Sequence, residues 1–380
     1  MIDLDAQATT PLAPEALAAM LPFLEGQHWN PHSAHRGGRI ARAALEAARV
    51  QVSALLDAEP EGLMFTSGAT EANNLALKGL LAERQGNRRR LLTFATEHSC
   101  VLESARHLAR LGVPLTILPV SGDGLPDMAA YRAALGDDVA LVSAMAVNNE
   151  IGSIWPIAEL AAMAHAAGAR LHCDAAQAFG KIDCRLDGGL AGADMVSLSA
   201  HKMHGPKGIG ALWVRPGLAL APLLDGGGQE GVRSGTQAPA LAAGFGAAAR
   251  LAMTGLDARA GRVRRLMEIA RDLLAAVPHR VNGPDPLGAA RWPGNLSVTF
   301  PGIDAGRLIA ALPAVALASG AACSSGSGRP SHVLAAIGLS GPDARATLRL
   351  GWHAFTREAD LRDALGQLIA AVHRLQRAAA

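Results

Sequence analysis

Aromatic residues are scarce: five Trp, one Tyr and seven Phe among 380 residues. That argues against a surface that stacks nucleic-acid bases. Charge of one sign is also missing. Lys and Arg number 35 against 33 Asp and Glu, a net charge of +2, which provides no field favouring nucleic acid or an anionic membrane. Cysteine occurs four times, at Cys100, Cys173, Cys184 and Cys323. No pair has the C-x-x-C spacing of a zinc ribbon or a thioredoxin motif, and four in a chain this long do not suggest a disulfide scaffold. The opening Met1-Ile2-Asp3-Leu4-Asp5 lacks the basic and apolar regions of a signal peptide. One charge-free stretch, Leu308–Gly328, contains Pro313 and ends in Ser and Gly, so its apolar part is too short to cross a bilayer. The expectation is a soluble, cytoplasmic protein with no metal, no direct nucleic-acid partner and no membrane. Lysine is rare as well. Lys78, Lys181, Lys202 and Lys207 are the four, so a lysine at a strand end stands out.

Half the residues are apolar and the mean hydropathy is +0.19, enough for a large core and too much for a disordered chain. From Gly62 to about Pro216, short apolar runs alternate with alanine-rich helical segments. Strands are expected at 62–66, 91–95, 114–118, 139–146, 170–173, 195–198 and 210–214. Helices are expected at 71–82, 101–111, 128–134 and 157–166. This repetition predicts an α/β fold with a mainly parallel sheet covered on both faces. After about Leu251 the texture changes: an Arg-rich helical segment to Ala276, a strand at 295–300, a Gly/Ser loop and a helical tail from Thr356. That reads as a second, smaller α/β domain. The expected division is 15–255 for the large domain, and 1–14 with 256–380 for the small one.

Ligands of parallel sheets bind at the carboxyl ends of the strands. After the first strand comes Ser67-Gly68-Ala69-Thr70-Glu71, opening a helix. Small residues and free N–H groups there suit a phosphate, although an ordinary helix cap reads the same way. Thr96-Glu97-His98-Ser99 places a histidine in the crevice, where it can stack on a flat ring or merely cap a helix. Asn148-Asn149-Glu150-Ile151-Gly152 offers polar groups at a turn. Asp174 ends an apolar strand, so burial demands a cationic partner, either an arginine or a protonated ring nitrogen. Lys202, directly after another apolar strand, has the setting of an imine-forming lysine. Phosphate cradle, stacking histidine, strand-end aspartate and strand-end lysine together form the set that holds pyridoxal 5'-phosphate.

These motifs are similar to those of the NifS/IscS-like (group I) cysteine desulfurases of the class V aminotransferase superfamily. The strongest are Phe65–Glu71, Asn148–Gly152, His201-Lys202 with Gly205-Pro206-Lys207-Gly208, and Arg233-Ser234-Gly235-Thr236, in that order. The resemblance implies a PLP-dependent transferase fold of type I. It also implies that Lys202 bonds the cofactor, Asp174 holds its ring nitrogen protonated, Gln177 meets its phenolic oxygen, and His98 stacks on the ring and moves substrate protons. Ala69, Thr70, Ser199 and His201 would hold the phosphate. Thr236 would reach the cofactor of a second subunit, making a homodimer. Asn149 and Arg349 would fix the substrate carboxylate.

Cys323 lies in Ala318-Ser319-Gly320-Ala321-Ala322-Cys323-Ser324-Ser325-Gly326-Ser327. A lone cysteine is commonly a buried, inert thiol, but these flanks are too small and polar to bury it well. The segment, about 318–330, resembles the loop of the group I enzymes whose cysteine takes sulfur from L-cysteine as a persulfide. The implied activity yields L-alanine and passes sulfur to an acceptor or iron–sulfur scaffold protein, or toward tRNA thiolation. A selenocysteine lyase, another aminotransferase-type enzyme and a non-catalytic scaffold are the alternatives. The sequence departs from the family at Gly226–Arg233, one residue short, at Ala6-Gln7, and at Trp352-His353-Ala354, where Leu-Gly-Arg is usual.

Overall fold

The computed structural model describes residues 1–83, 87–227, 231–320, 331–339 and 341–377. Cys323 therefore lies outside the described residues, as does most of the segment around it. In chain order the elements begin with β1 (Ile2–Asp3), α1 (Pro14–Glu25), α2 (Arg36–Ala54), β2 (Leu63–Thr66), α3 (Ala69–Glu83) and β3 (Arg90–Phe94). Next come α4 (Ser99–Arg110), β4 (Leu115–Leu118), α5 (Met128–Ala134), β5 (Val139–Met145), α6 (Ile157–Ala166), β6 (Arg170–Asp174), β7 (Met195–Ser199) and β8 (Gly210–Val214). The remainder holds α7 (Pro239–Met253), α8 (Leu256–Leu274), β9 (Arg280–Asn282), β10 (Asn295–Thr299), α9 (Ala305–Ala310), β11 (Val315–Ala316) and β12 (Ala318–Ser319). It ends with α10 (His332–Ala336), α11 (Gly341–Arg345), β13 (Thr347–Gly351) and α12 (Glu358–Arg377).

The expected alternation forms one seven-stranded sheet, ordered β2-β8-β7-β6-β5-β3-β4. Only β8 runs antiparallel to its neighbours. Every residue of β5, β7 and β8 is buried, as the near-continuous apolar runs of strands covered on both faces require. The expected Arg-rich helical segment is α8, and Gly255 before it takes φ +80° and separates it from α7, a left-handed conformation that glycine adopts without steric cost.

A four-stranded antiparallel sheet, β12-β13-β10-β9, follows. The two chain ends meet beside it. β1 pairs in parallel with β11, and Gly351 N–H donates to Leu4 O at 2.7 Å. The absence of a side chain at Gly351 leaves room for Gln7, whose Nε2 donates to Gly294 O at 2.7 Å. A Cβ on Gly351 would collide with the Gln7 side chain. The N-terminal segment is thereby held across the turn that follows β7.

Candidate active site

A cavity of about 680 Å³ opens at the carboxyl ends of β2, β3, β5, β6 and β7. Its floor is the turn after β7, where Ser199, His201 and Lys202 reach the cavity. Lys202 Nζ donates to the carbonyls of Gln7 at 2.6 Å and Ala8 at 2.8 Å. The same N-terminal segment grips the turn on either side of the lysine: Thr10 Oγ1 donates to His201 O at 3.0 Å, and His204 N–H donates to Thr10 Oγ1 at 2.7 Å. His201 Nδ1 lies 3.1 Å from Thr9 Oγ1. Burial, reinforced by the charge of Lys202, lowers the His201 pKa to about 4, so at neutral pH its ring is an uncharged hydrogen-bonding group.

Asp174 closes β6 and is buried. Its partners are neutral: Asn73 Nδ2 donates to Oδ2 at 2.7 Å, and Ala176 N–H donates to Oδ1 at 2.9 Å. Among the described residues no arginine or lysine pairs with it. Of the two cationic partners the strand-end carboxylate called for, the arginine is therefore not found. A protonated heterocycle in the cavity answers the same need. Beside it, the first turn of α3 (Ala69, Thr70) and the preceding Ser67 and Gly68 also line the cavity. Gly68 holds φ +150° and faces open space where a Cβ would be, and the leading N–H groups of a helix have no partner within it. An anion fits at this end and a cationic ring at Asp174, with the lysine nearby. The residues present thus fit pyridoxal phosphate.

His98 caps α4, with Nδ1 accepting from Cys100 N–H at 3.2 Å, and it also lines the cavity. With Nδ1 accepting, the neutral ring carries its hydrogen on Nε2. Burial lowers its pKa, against the opposing charge of Asp174. Cys100 lies in the same wall, its Sγ 3.0 Å from His98 Nδ1. Burial and the charge of Asp174 push this thiol up to about 12, so it is protonated and a poor nucleophile.

The Asn148–Gly152 turn is built by its first residue. Asn148 Oδ1 accepts from the N–H groups of Glu150 and Ile151, and its Nδ2 donates to Thr96 O at 3.0 Å. That leaves Asn149 on the cavity wall, opposite Arg349 of β13. Arg349 Nη1 lies 3.3 Å from Asn149 O, and its Nη2 pairs with Asp5 Oδ1 at 2.8 Å. Its Nε is buried without a partner among the described residues. Both ends of the segment that carries Cys323 sit by this pair. Ala318 is in register opposite Arg349, and Ser331 Oγ donates to Glu150 Oε2 at 2.5 Å.

Ala69, Thr70, His98, Asn149, Asp174, Gln177, Ser199, His201, Lys202 and Arg349 all line one cavity. Thr236 does not; it is exposed, beyond the Arg233–Glu71 ion pair (2.9 Å). Sequence reasoning missed Asn73, which supports Asp174, and the Gln7 and Ala8 carbonyls. Asn73 sits mid-helix with nothing local to mark it, and backbone carbonyls carry no residue signature.

The chain belongs to the class-V aminotransferase family, whose profile matches residues 2–363. That family is pyridoxal-phosphate dependent. Within it, the mitochondrial cysteine desulfurase of Saccharomyces cerevisiae is 44% identical over 95% of this chain and 72% of that protein. A solved NifS-like protein superposes with a TM-score of 0.90 at 31% identity, covering 97% of this chain and 98% of its own. A structure of SspA in complex with cysteine gives a TM-score of 0.82 at 33% identity, over 94% of this chain and all of that one.

Proposed function

We propose that this protein is a cysteine desulfurase: it takes sulfur from L-cysteine as a persulfide on Cys323 and releases L-alanine. The observation that carries this reading is one cavity gathering Lys202, Asp174, His98, Gln177, Asn149 and Arg349, in a chain similar over most of its length to cysteine desulfurases. Pyridoxal phosphate, when bound, supplies the electron sink for the pair left when the amino acid loses its α-proton. Ala69, Thr70, Ser199 and His201 bind its phosphate, Gln177 donates to its phenolic oxygen, and Lys202 holds its aldehyde carbon.

Asp174 keeps a proton on the ring nitrogen, a task suited to a buried carboxylate whose other partners are neutral. Arg349 grips the substrate carboxylate, helped by Asn149. Lys202 and His98 move protons at the substrate carbons, with His98 presenting Nε2–H. Cys323 thiolate then attacks the substrate sulfur: an S–S bond forms, the C–S bond breaks, and the carbon left behind takes a proton on the way to alanine. The persulfide passes to an acceptor or scaffold protein for iron–sulfur clusters or tRNA thiolation.

The reading includes a homodimer. Leu17, Leu21 and Leu24 are exposed along α1, an apolar face that a second copy would cover, and the exposed Thr236 is free to reach a neighbour's cofactor. It also includes a division into 15–255 as the cofactor-binding unit, with 1–14 and 256–380 carrying the Cys323 segment, and a cytoplasmic setting that keeps thiols reduced. Among the described residues no helix is long and apolar enough to cross a membrane.

The test is to incubate the cofactor-loaded protein with L-cysteine and a thiol reductant, measuring sulfide and alanine together. Equal release of both, lost in Cys323→Ala, is expected. Alanine or pyruvate formation that survives Cys323→Ala would instead indicate an aminotransferase-type or lyase reaction.

A further inference from the structure

Lys181 is one of four lysines and has no part in the chemistry above. It follows β6 in the turn that also carries Gln177. Its Nζ donates to Gln177 Oε1 at 2.7 Å, while Gln177 Nε2 donates to Gln7 O at 2.8 Å. The two bonds agree in sense. An ammonium has no lone pair to offer and a carbonyl has no hydrogen, so the Gln177 amide cannot turn over without losing both. Its oxygen is committed to Lys181, and the second hydrogen of Nε2 remains on a residue that lines the large cavity.

We propose that Lys181 is a positioning residue that fixes the Gln177 amide so that the cavity is offered a hydrogen-bond donor and never an acceptor. This rests on the cofactor reading above: a donor at that place stabilises the phenolic oxygen of pyridoxal phosphate as an anion, and an acceptor would favour its protonated form. The groups that act on Lys181 or feel it are Lys202, Arg349, the Cys184 thiol, His201, His204 and His353; none of them is a carboxylate. Burial, then the charge of Lys202, lowers the Lys181 pKa to about 7. On losing that proton the amine keeps hydrogens to give but gains a lone pair, so above that pH the Gln7 carbonyl, which can only accept, holds the sense of the amide. Lys181 also borders a separate small cavity of about 40 Å³, which leaves space for a longer guanidinium.

The test compares the unmodified protein with Lys181→Met, Lys181→Arg, Gln177→Ala and the double variant Lys181→Met/Gln177→Ala. Each is loaded with pyridoxal phosphate, and the pH midpoint of its visible absorption change and its cofactor Kd are recorded. The cofactor-free melting temperatures of the same set are recorded too. Removing a half-buried ammonium that has no carboxylate partner among the described residues relieves a desolvation cost, so the methionine variant should fold, and Lys181→Leu serves as its duplicate. Lys181→Met should raise the midpoint by about one pH unit and weaken cofactor binding about tenfold, the scale of one charge-assisted hydrogen bond. Lys181→Arg, donor-only and charged throughout, should retain the original midpoint. In the Gln177→Ala background Lys181→Met should add nothing.

An equal shift in both backgrounds overturns the proposal, because Lys181 would then act by charge alone. So does an unmoved midpoint in Lys181→Met, or additive melting changes in the cofactor-free set. No visible band even in the unmodified protein overturns the cofactor reading itself, a result distinct from these.

Discussion

Asn73 Nδ2 donates to Asp174 Oδ2 at 2.7 Å, joining helix α3 to the end of strand β6 across 101 positions of sequence. The same nitrogen lies 3.1 Å from Cys100 Sγ. One buried amide thus holds the carboxylate that faces the cavity and touches the thiol in its wall.

Asn73→Leu keeps the side-chain volume and removes that donor. Asp174 then retains Ala176 N–H alone, and its ionised form is less well supported. The expected result is a Kd for pyridoxal phosphate raised about tenfold, since a hydrogen bond to a charged group contributes about 1.5–3 kcal/mol. A fluorescence titration of the cofactor-free protein measures it. An unchanged Kd would show that the backbone donor suffices.

The two jobs of His98 can be separated. Asparagine is as good a helix cap as any residue but has no ring to stack or to carry a proton. His98→Asn should therefore melt close to the unmodified protein while sulfide release falls by about 10²–10⁴-fold, the usual weight of a proton-transfer group. If melting and activity fall together, the residue is a cap first.

Glu97 is fully buried. Met145 N–H donates to its Oε1 at 2.6 Å, and its Oε2 has no partner among the described residues. Burial, then the charge of Asp174, raises its pKa well above 4.5. The unfolded chain ionises this group near the ordinary value while the folded one resists. Its contribution to stability is thus complete below pH 4.5 and is lost as pH rises toward the folded value. Glu97→Gln, neutral at every pH, should gain in melting temperature over the parent as pH is raised from 4.5 to 7. A difference that stays flat across that range would mean the carboxyl ionises normally in the fold.

Arg349→Lys keeps the charge and loses the planar fork that meets a carboxylate with two bonds. KM for L-cysteine should rise about 10- to 100-fold with kcat much less affected, as steady-state sulfide kinetics would reveal. Asp5 already occupies Nη2 and competes for the guanidinium, so Asp5→Asn should lower KM.

The sheet was readable because its strands are short apolar runs between helices of regular period. All seven expected strands form, most shifted by a residue at one end. Met128–Ala134 and Ile157–Ala166 match at both ends, the first because Asp127 caps it unambiguously, its Oδ1 accepting from the N–H groups of Ala129 and Ala130. The pairing of β1 with β11 was not readable: two-residue strands carry no alternation, and their partners are more than 300 positions apart. The cavity residues stood out because polar groups at strand ends interrupt apolar runs. Glu97 and Lys181 did not, since what sets them apart is enclosure.

The clasp of residues 2–10 over the Lys202 turn bears on how the chain is made. Ile2 and Asp3 leave the ribosome long before their strand partners, Val315 and Ala316. At about 5–20 residues per second, those partners arrive roughly 15–60 s later. Until then the carbonyls of Gln7 and Ala8 are held over the lysine from the Thr10 side alone. The large sheet can close before residue 315 is made, while the clasp over the lysine turn is completed only after it. A nascent chain stalled before residue 315 should therefore protect the sheet from proteolysis but leave the first ten residues open to cleavage.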